Sequence, residues 1–241
     1  MSVEPGLEGP TFPPLQTGVP LGARVDPFAR AVAQAQGGEV EPGTVHYAET
    51  DRALRLAVTF APETPLRHAM GVVLAVELGL ADAIGALAPP EVAVHFTWPA
   101  GVKVNGAACG RIRAAASTTD PAAEPDWLVV GVELDVSPEP GTETGRTPDR
   151  TWLHAEGCAD VTVPALISSF ARHMLVWVHS FMADGLGPAH AAWRAKCDTL
   201  EQDITEPQAG FFAGLDEHGG MLLRTGSGTR IIPLTTMLEA P

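Results

Sequence analysis

Apolar residues recur at helical spacing in several stretches of this chain, and these stretches predict its helices. Asp26 followed by Pro27 is typical of an N-cap with proline at the first helical position, and Gly37-Gly38 is a stop signal. The most apolar stretch is expected to be a helix buried over a sheet, and Pro89-Pro90 ends it. The predicted helices cover residues 27–36, 68–87 and 163–183, with a short fourth helix that ends at 192–194.

Other segments alternate apolar and polar residues, or are short apolar runs, and predict strands. Alternation is strictest at residues 54–60, where every second side chain is a large apolar one. From about residue 200 the pattern changes to short strands separated by glycine-rich turns. The predicted strands lie at 44–48, 54–60, 92–98, 102–104, 107–113, 127–136, 211–224 and 229–233.

Asn105-Gly106 lies between two of these strands and is the strongest hairpin signal in the chain. A type I′ turn needs positive φ at both central residues, which Asn-Gly provides. A two-residue loop fixes the pairing, so Val104 should face Ala107 and Lys103 should face Ala108.

Composition narrows the classes of function. A net charge of −14 argues against nucleic-acid binding, which needs clustered basic residues. No uninterrupted apolar run of membrane-spanning length occurs, so no membrane partner is expected. Three isolated cysteines without metal-ligand spacing predict no metal site and favour reduced thiols in the cytoplasm. Only two of the fifteen basic residues are lysines, Lys103 and Lys196.

Trp98-Pro99 followed by the hairpin resembles the biotin–protein ligase family, within the biotin and lipoate ligase superfamily. In that family Trp-Pro-Asn-Asp ends a strand, and the return strand of the hairpin carries a lysine that binds the biotin carboxylate and the adenylate phosphate. Here Ala100-Gly101 replaces Asn-Asp, and Ala108 stands at the position of the lysine. The segment 211–224 resembles the hairpin of the family's small C-terminal SH3-like barrel.

The resemblance implies an α+β fold, with a mostly antiparallel sheet, packed helices and a small C-terminal SH3-like β-barrel. It predicts three regions: a flexible Pro/Gly-rich N-terminus at 1–20, a ligase-like domain at 21–199, and the SH3-like domain at 200–241. It also implies ATP and biotin, or a lipoyl or octanoyl-type acid, as ligands. The family joins the acid to a carrier-protein lysine through an acyl-adenylate, so a small carboxylic acid and a carrier protein are the implied partners, for a monomer or homodimer.

Two other family motifs are changed in this chain. The family's Gly/Arg-rich loop cradles the adenylate, but only Glu49-Thr50-Asp51-Arg52 stands there, without glycine and with net negative charge. In the strand that contacts the nucleotide, Gly131 fits the family pattern, whereas Glu133 replaces a glycine and Asp135 an asparagine. These changes predict weak ATP binding and impaired ligase activity.

Carried over onto this sequence, the resemblance and the charge pattern give the candidate site residues. Lys103 and Arg111 are the catalytic candidates, because the developing phosphate charge needs cations. The ligand-binding candidates are Trp98, Pro99, Ala108, Gly110, Arg113, Gly131, Val132 and Asp135.

Lys103 is expected to reach the space that a lysine at 108 would fill, with a solvated surface lysine as the alternative. Arg111 and Arg113 alternate on the return strand and should share a face with each other and with Cys109. They bind an anion if they point inward, or are ordinary surface charges if they point outward. Cys109 is expected to be a buried thiol rather than a nucleophile. His46 and His95 are either pocket walls or structural histidines.

Three hypotheses for function follow. The chain is an active ligase or acyltransferase with relocated cations, a catalytically silent binder of a small acid or nucleotide, or an interaction protein that retains only the scaffold.

Overall fold

The chain folds around a seven-stranded sheet. A computed structural model describes residues 9–143 and 147–240, so the predictions for residues 1–8, 144–146 and 241 lie outside the described residues. The strands are β1 (Thr17–Leu21), β2 (Thr44–Ala48), β3 (Ala53–Phe60), β4 (Val94–Thr97), β5 (Gly101–Val104), β6 (Ala107–Ala116) and β7 (Leu128–Asp135). Their order is β1-β2-β3-β7-β6-β5-β4, and among these neighbours the β1–β2 pair is parallel and the others are antiparallel.

The strand β1 differs from the sequence prediction, which places residues 1–20 in a poorly ordered lead-in. Its residues pair in parallel with β2 from Thr17 to Leu21, and the Phe12 ring lies 5.7 Å from that of Tyr47. An edge strand tolerates Pro20, because one side of it needs no hydrogen-bond partner. The domain boundary predicted after residue 20 therefore falls inside this strand.

Five α-helices pack on the sheet: α1 (Pro27–Gln36), α2 (Leu66–Ala69), α3 (Val72–Leu87), α4 (Val163–Asp184) and α5 (Gly187–Lys196). Asp26 caps α1 by accepting from the Phe28 N–H at 2.9 Å, and Thr162 caps α4. The predicted helix at 68–87 is divided into α2 and α3 at Met70-Gly71. α1 covers one sheet face, whereas α3 and α4 pack against the other and enclose the main core.

The segment Leu66–Leu87 is long and apolar enough to cross a membrane by length and composition alone, but 78% of its most apolar window is buried inside the protein. Its side chains pack between the sheet and α4. The apolar character of this segment is thus accounted for by a core helix.

The hairpin has the predicted turn and the predicted register near the turn. Asn105 and Gly106 have φ of 49° and 89°, and Lys103 pairs with Ala108. One strand pair further on, Val102 pairs with Gly110, so Cys109 is an extra residue that forms a β-bulge.

A second sheet of four strands follows the main domain. It consists of β8 (Asp203–Ile204), β9 (Gly210–Leu215), β10 (Met221–Thr225) and β11 (Gly228–Ile232), in the order β11-β10-β9-β8. The Trp98 indole N–H donates to the Gly219 carbonyl at 2.9 Å and connects this sheet to the end of β4. The described residues also form two 3₁₀ turns, Leu153–Glu156 and Leu234–Met237. The predicted α+β fold with a small C-terminal β domain is confirmed.

Candidate functional site

The sheet face that carries α1 also carries most of the charged residues proposed for the site. Opposed residues of an antiparallel pair share a face, and the register places Arg111 opposite Glu133 and Arg113 opposite Gly131. Gly131 in turn lies opposite Ala57, which is buried under α1. Arg113 therefore lies at the border between the part of the face that α1 covers and the part that is open.

The Arg113 guanidinium contacts three carboxylates of the chain. It binds both oxygens of Glu239, at 2.7 and 2.6 Å, and it also donates to Asp26 at 2.9 Å and to Glu133 at 3.2 Å. Its side chain is only 15% exposed. The hydrogen bond to Glu239 is the main reason why the pKa of Arg113 is raised. Arg113 also lowers the pKa of Glu239 through the same hydrogen bond.

Phe28 of α1 fills the space above Gly131. A Cβ atom at residue 131 would lie 2.7 Å from Phe28 Cδ2, so only glycine fits beneath the ring. The Arg113 guanidinium lies over this ring, 4.1 Å from its centroid. The face at Gly131, a ligand-binding candidate, is therefore filled by a buried aromatic side chain.

Arg111 forms a two-point contact with Glu133, through Nε at 2.8 Å and Nη2 at 3.3 Å. Its side chain is 61% exposed, so it is a surface arginine in an ion pair. The hydrogen bond and the charge of Glu133 raise the pKa of Arg111. Glu133, at a glycine position of the family motif, thus binds both arginines that the sequence analysis assigns to an anion.

Lys103 points away from the position that a lysine at 108 would fill. Its Nζ lies 2.7 Å from Asp198 Oδ2, and the Asp198 N–H donates to the Phe96 carbonyl of the edge strand β4. The ammonium therefore reaches across β4, whereas Ala108 lies on the opposite side of β5. The side chain is 29% exposed, and its partner comes from the segment after α5.

Ala108 lies in a different environment, beside the segment that precedes the first 3₁₀ turn. Its N–H and carbonyl pair with Asp149 and Thr151, and the Arg150 side chain contacts Asp135 at 3.2 Å. A polar cavity of about 280 Å³ borders this point, lined by Ala107, Arg150, Thr151, Trp152 and Glu156 among others. Arg150 and Asp135 therefore form an exposed ion pair beside Ala108.

Three more of the proposed ligand-binding residues do not present side chains to this face. Trp98 packs in the main core and bonds to Gly219, and Val132 is fully buried on the α3–α4 side of the sheet. At Gly110 a Cβ would lie 2.3 Å from the Glu133 carbonyl oxygen, so this glycine allows β6 to approach β7. Pro99 follows a cis peptide bond in the turn between β4 and β5.

Cys109 does not share a face with Arg111 and Arg113, contrary to the sequence prediction. The bulge shifts the alternation by one residue, so Cys109 lies with the main core, where its thiol is 1% exposed. Burial, with the nearby Asp135 charge, raises the pKa of Cys109 to about 12. The expectation of a buried, unreactive thiol agrees with this position.

His46 lies beneath α1 with 3% of its surface exposed, and neither ring nitrogen has a hydrogen-bond partner. Burial, with the charge of Arg30, lowers the pKa of His46 and favours its neutral form. His95 lies opposite Lys103 on the half-exposed side of β4.

Arg52, in the loop between β2 and β3, contacts the segment that follows β7. The Arg52 side chain forms an ion pair with Glu139, and the Arg52 carbonyl accepts from the Val136 and Ser137 N–H groups. The only cation in this loop is therefore already paired.

Sequence reasoning missed three residues that decide the electrostatics of the site. Asp198 and Glu239 lie far along the chain from the cations they pair with, and no local pattern marks them. Phe28 had a signal, because a large apolar residue just after the cap of α1 points to the face that the helix covers. Within residues 9–143 and 147–240, no group of three His, Cys, Asp or Glu side chains is close enough to hold a metal ion.

A sequence profile of the biotin/lipoate A/B protein ligase family matches residues 12–195, which is most of the chain. The chain belongs to this family. The profile of a domain of unknown function (DUF4444) matches residues 201–240, which include the four-stranded second sheet.

The chain is similar to one curated ligase by sequence and to several proteins of known structure. A biotin protein ligase-like protein of unknown function from Silicibacter sp. TM1040 is 47% identical, with a TM-score of 0.88 over 95% of this chain and 99% of that one. A biotin–[acetyl-CoA-carboxylase] ligase of Paracoccus denitrificans is 29% identical over 73% of this chain and 78% of its own length. Biotin protein ligase from Aquifex aeolicus, in complex with biotin and ATP, has a TM-score of 0.67 at 17% identity, covering 90% and 95% of the two chains, which supports the fold alone.

Proposed function

We propose that this member of the ligase family binds a small carboxylic acid and does not form acyl-adenylates at the rate of a working ligase. The observation that carries this proposal is the pairing of the candidate cations. Lys103 binds Asp198, Arg111 binds Glu133, and Arg113 binds three carboxylates.

The residues of this face do not fit the phosphates of ATP. A developing phosphate charge needs preorganised cations or N–H donors that are free to receive it. Each candidate cation must first leave a carboxylate, and a charge-assisted hydrogen bond contributes about 1.5–3 kcal/mol. One lost contact of this size weakens binding about tenfold or more, so no adenylation step is assigned to this chain.

A carboxylate ligand must also displace a paired carboxylate, but at Arg113 this exchange is one for one. A guanidinium presents two parallel N–H donors, which match the two oxygens of a carboxylate. Arg113 already holds the Glu239 carboxylate in this manner, in a site of low exposure. A biotin, lipoyl or octanoyl-type acid is therefore the proposed ligand class, and Arg113 is the residue proposed to bind it.

A carrier protein is the proposed partner, and the cytoplasm is the proposed location. The Paracoccus relative is named for a carboxylase that it modifies. We propose that a carrier protein of this kind remains a binding partner without being acylated. A cytoplasmic location is proposed because all three cysteines are free.

Pyrophosphate exchange tests the catalytic part of the proposal. With biotin, lipoate or octanoate and ATP, exchange is expected to be at least 100-fold slower than in the Paracoccus ligase measured in parallel. Comparable exchange would show that the chain is an active ligase.

Thermal shift without ATP tests acid binding, because a ligand that binds only the folded state raises Tm. The acids are expected to raise Tm in the parent chain, and Arg113→Ala should abolish the rise. Arg224→Ala, on β10 in the second sheet, is the matched control and should retain it. An equal shift in Arg113→Ala would remove Arg113 from the site.

One observation favours a second candidate, an interaction protein that retains only the scaffold. Phe28 occupies the face above Gly131 with 5% of its surface exposed, so no open space remains there. If none of the acids shifts the Tm of the parent chain or of Phe28→Ala, this second function is the better account.

A further inference from the structure

The segment 233–239, here called the closing segment, leaves the second sheet and returns to the main sheet. After β11 it forms the 3₁₀ turn Leu234–Met237, and Leu238 then forms a parallel bridge with Ala114 of β6. The Glu239 N–H donates to the Ala114 carbonyl at 2.8 Å. The second domain thus delivers one residue of its own to the face described above.

The closing segment attaches where β6 lacks its usual neighbour. The pairing of β5 with β6 begins at Gly101 opposite Arg111, and the next contact is the Ile112 N–H to the Ala100 carbonyl. Beyond this point the edge of β6 is free of β5, and the closing segment takes this edge. The attachment is short, with one bridge and one backbone hydrogen bond.

The side chain at the end of this attachment is a carboxylate bound to Arg113. Both Glu239 oxygens contact the guanidinium, although Asp26 and Glu133 already supply two negative charges there. Three carboxylates around one guanidinium repel one another, and Glu239 lies on the segment that joins β6 through the bridge at Leu238 and its own N–H. Glu239 is also 40% exposed, so solvent reaches it.

We propose that the closing segment is an internal plug, in which Glu239 occupies the carboxylate position of the ligand and must leave before an acid binds Arg113. This inference rests on the proposed function, since it names the competitor at the same guanidinium. A tethered carboxylate acts at an effective concentration of the order of millimolar. The ligand's apparent affinity is reduced by the fraction of molecules in which Arg113 is free. The DUF4444 region contains the closing segment, so it supplies the competing carboxylate.

Calorimetry with biotin, lipoate and octanoate, and with the methyl ester of each acid, tests the plug. Glu239→Ala is expected to bind at least one of the acids about tenfold tighter than the parent chain, because the competitor is gone. The esters should show no such gain, since they lack the carboxylate. Glu239→Ala combined with Arg113→Ala should lose the gain, and Glu124→Ala, at an exposed glutamate in another loop, should bind like the parent chain.

Equal affinity of Glu239→Ala and the parent chain for the acids would overturn the plug and leave the small-acid proposal standing. No binding of the acids by either protein would overturn both the plug and the small-acid proposal. The two failures therefore give different results in the same experiment. Hydrogen exchange provides a second readout in the unmutated protein. A saturating acid should accelerate exchange of the Glu239 amide, which donates to Ala114, and unchanged exchange with bound acid would also overturn the plug.

Discussion

At the scale of single residues, Glu77 is an acidic side chain buried in the protein core. It is fully buried in α3, and its Oε2 accepts a hydrogen bond from the Trp193 indole at 2.6 Å. Its Oε1 has no partner. Burial raises the pKa of Glu77 well above its ordinary value, and the Trp193 hydrogen bond only partly offsets this effect. Glu77 is therefore protonated in the folded state at pH values where it is ionised in the unfolded chain.

We expect Glu77→Gln to become progressively more stable than the parent chain as the pH rises. A raised folded-state pKa contributes stability that is complete below the unfolded pKa and is lost as pH rises toward the folded value. The amide cannot ionise, so it avoids this loss, which amounts to about 1.4 kcal/mol per pH unit within that window. Urea denaturation from pH 5 to 8 measures the difference, with Glu124→Gln as the control. A difference that does not change with pH would mean that Glu77 is ionised in the folded protein.

At the scale of elements, the contact between α3 and α4 depends on a glycine inside a helix. A Cβ at Gly79 would lie 2.6 Å from the Met174 Cα atom, which is backbone and cannot move aside alone. Gly85 lies in the same helix, and a Cβ there would meet nothing within 4 Å. Substituting each glycine by alanine therefore distinguishes the effect of packing, at Gly79, from the effect of helix propensity, at Gly85.

Gly79→Ala is expected to reduce the free energy of unfolding by about 1–3 kcal/mol, the usual cost of overpacking a core. Gly85→Ala should instead increase it by up to about 1 kcal/mol, because alanine is the better helix former. Both values come from urea denaturation at constant m. If both substitutions stabilised the protein, the two helices would not be in the close contact described here.

At the scale of the whole molecule, Trp98 connects the two sheets. Its ring packs in the main core, and its N–H reaches the buried turn at Gly219. Trp98 thus holds the second domain against the main sheet. The closing segment returns from this second domain to Arg113.

Trp98→Phe should reduce the free energy of unfolding by about 1–3 kcal/mol, because it leaves a buried carbonyl without its donor. Trp177→Phe is the control, since its N–H binds the half-buried Asp82, which water can solvate instead. The control should cost less than Trp98→Phe in the same denaturation series. Equal costs would indicate that the Gly219 carbonyl is accessible to water.

Features that depend on neighbouring residues could be predicted from the sequence. Asn105-Gly106 fixed the hairpin turn because few residues tolerate positive φ, and Asp26-Pro27 fixed the start of α1 because capping is local. Apolar alternation likewise located β3, and a nearly continuous apolar run located β7 as a largely buried strand. The motifs around Trp98 and Gly131 were enough to indicate the family.

The partners of the charged residues depend on the folded structure. Lys103 pairs with a residue 95 positions away and Arg113 with one 126 positions away, and sequence periodicity carries no information over such distances. The bulge at Cys109 reversed a predicted side-chain direction, because one extra residue shifts the alternation of a strand. The strand β1 joined the sheet through pairing with β2, which its own glycine and proline do not signal. Side-chain facing and charge pairing are set by which segments meet in space, so the chemistry of this site was decided by the fold rather than by its local motifs.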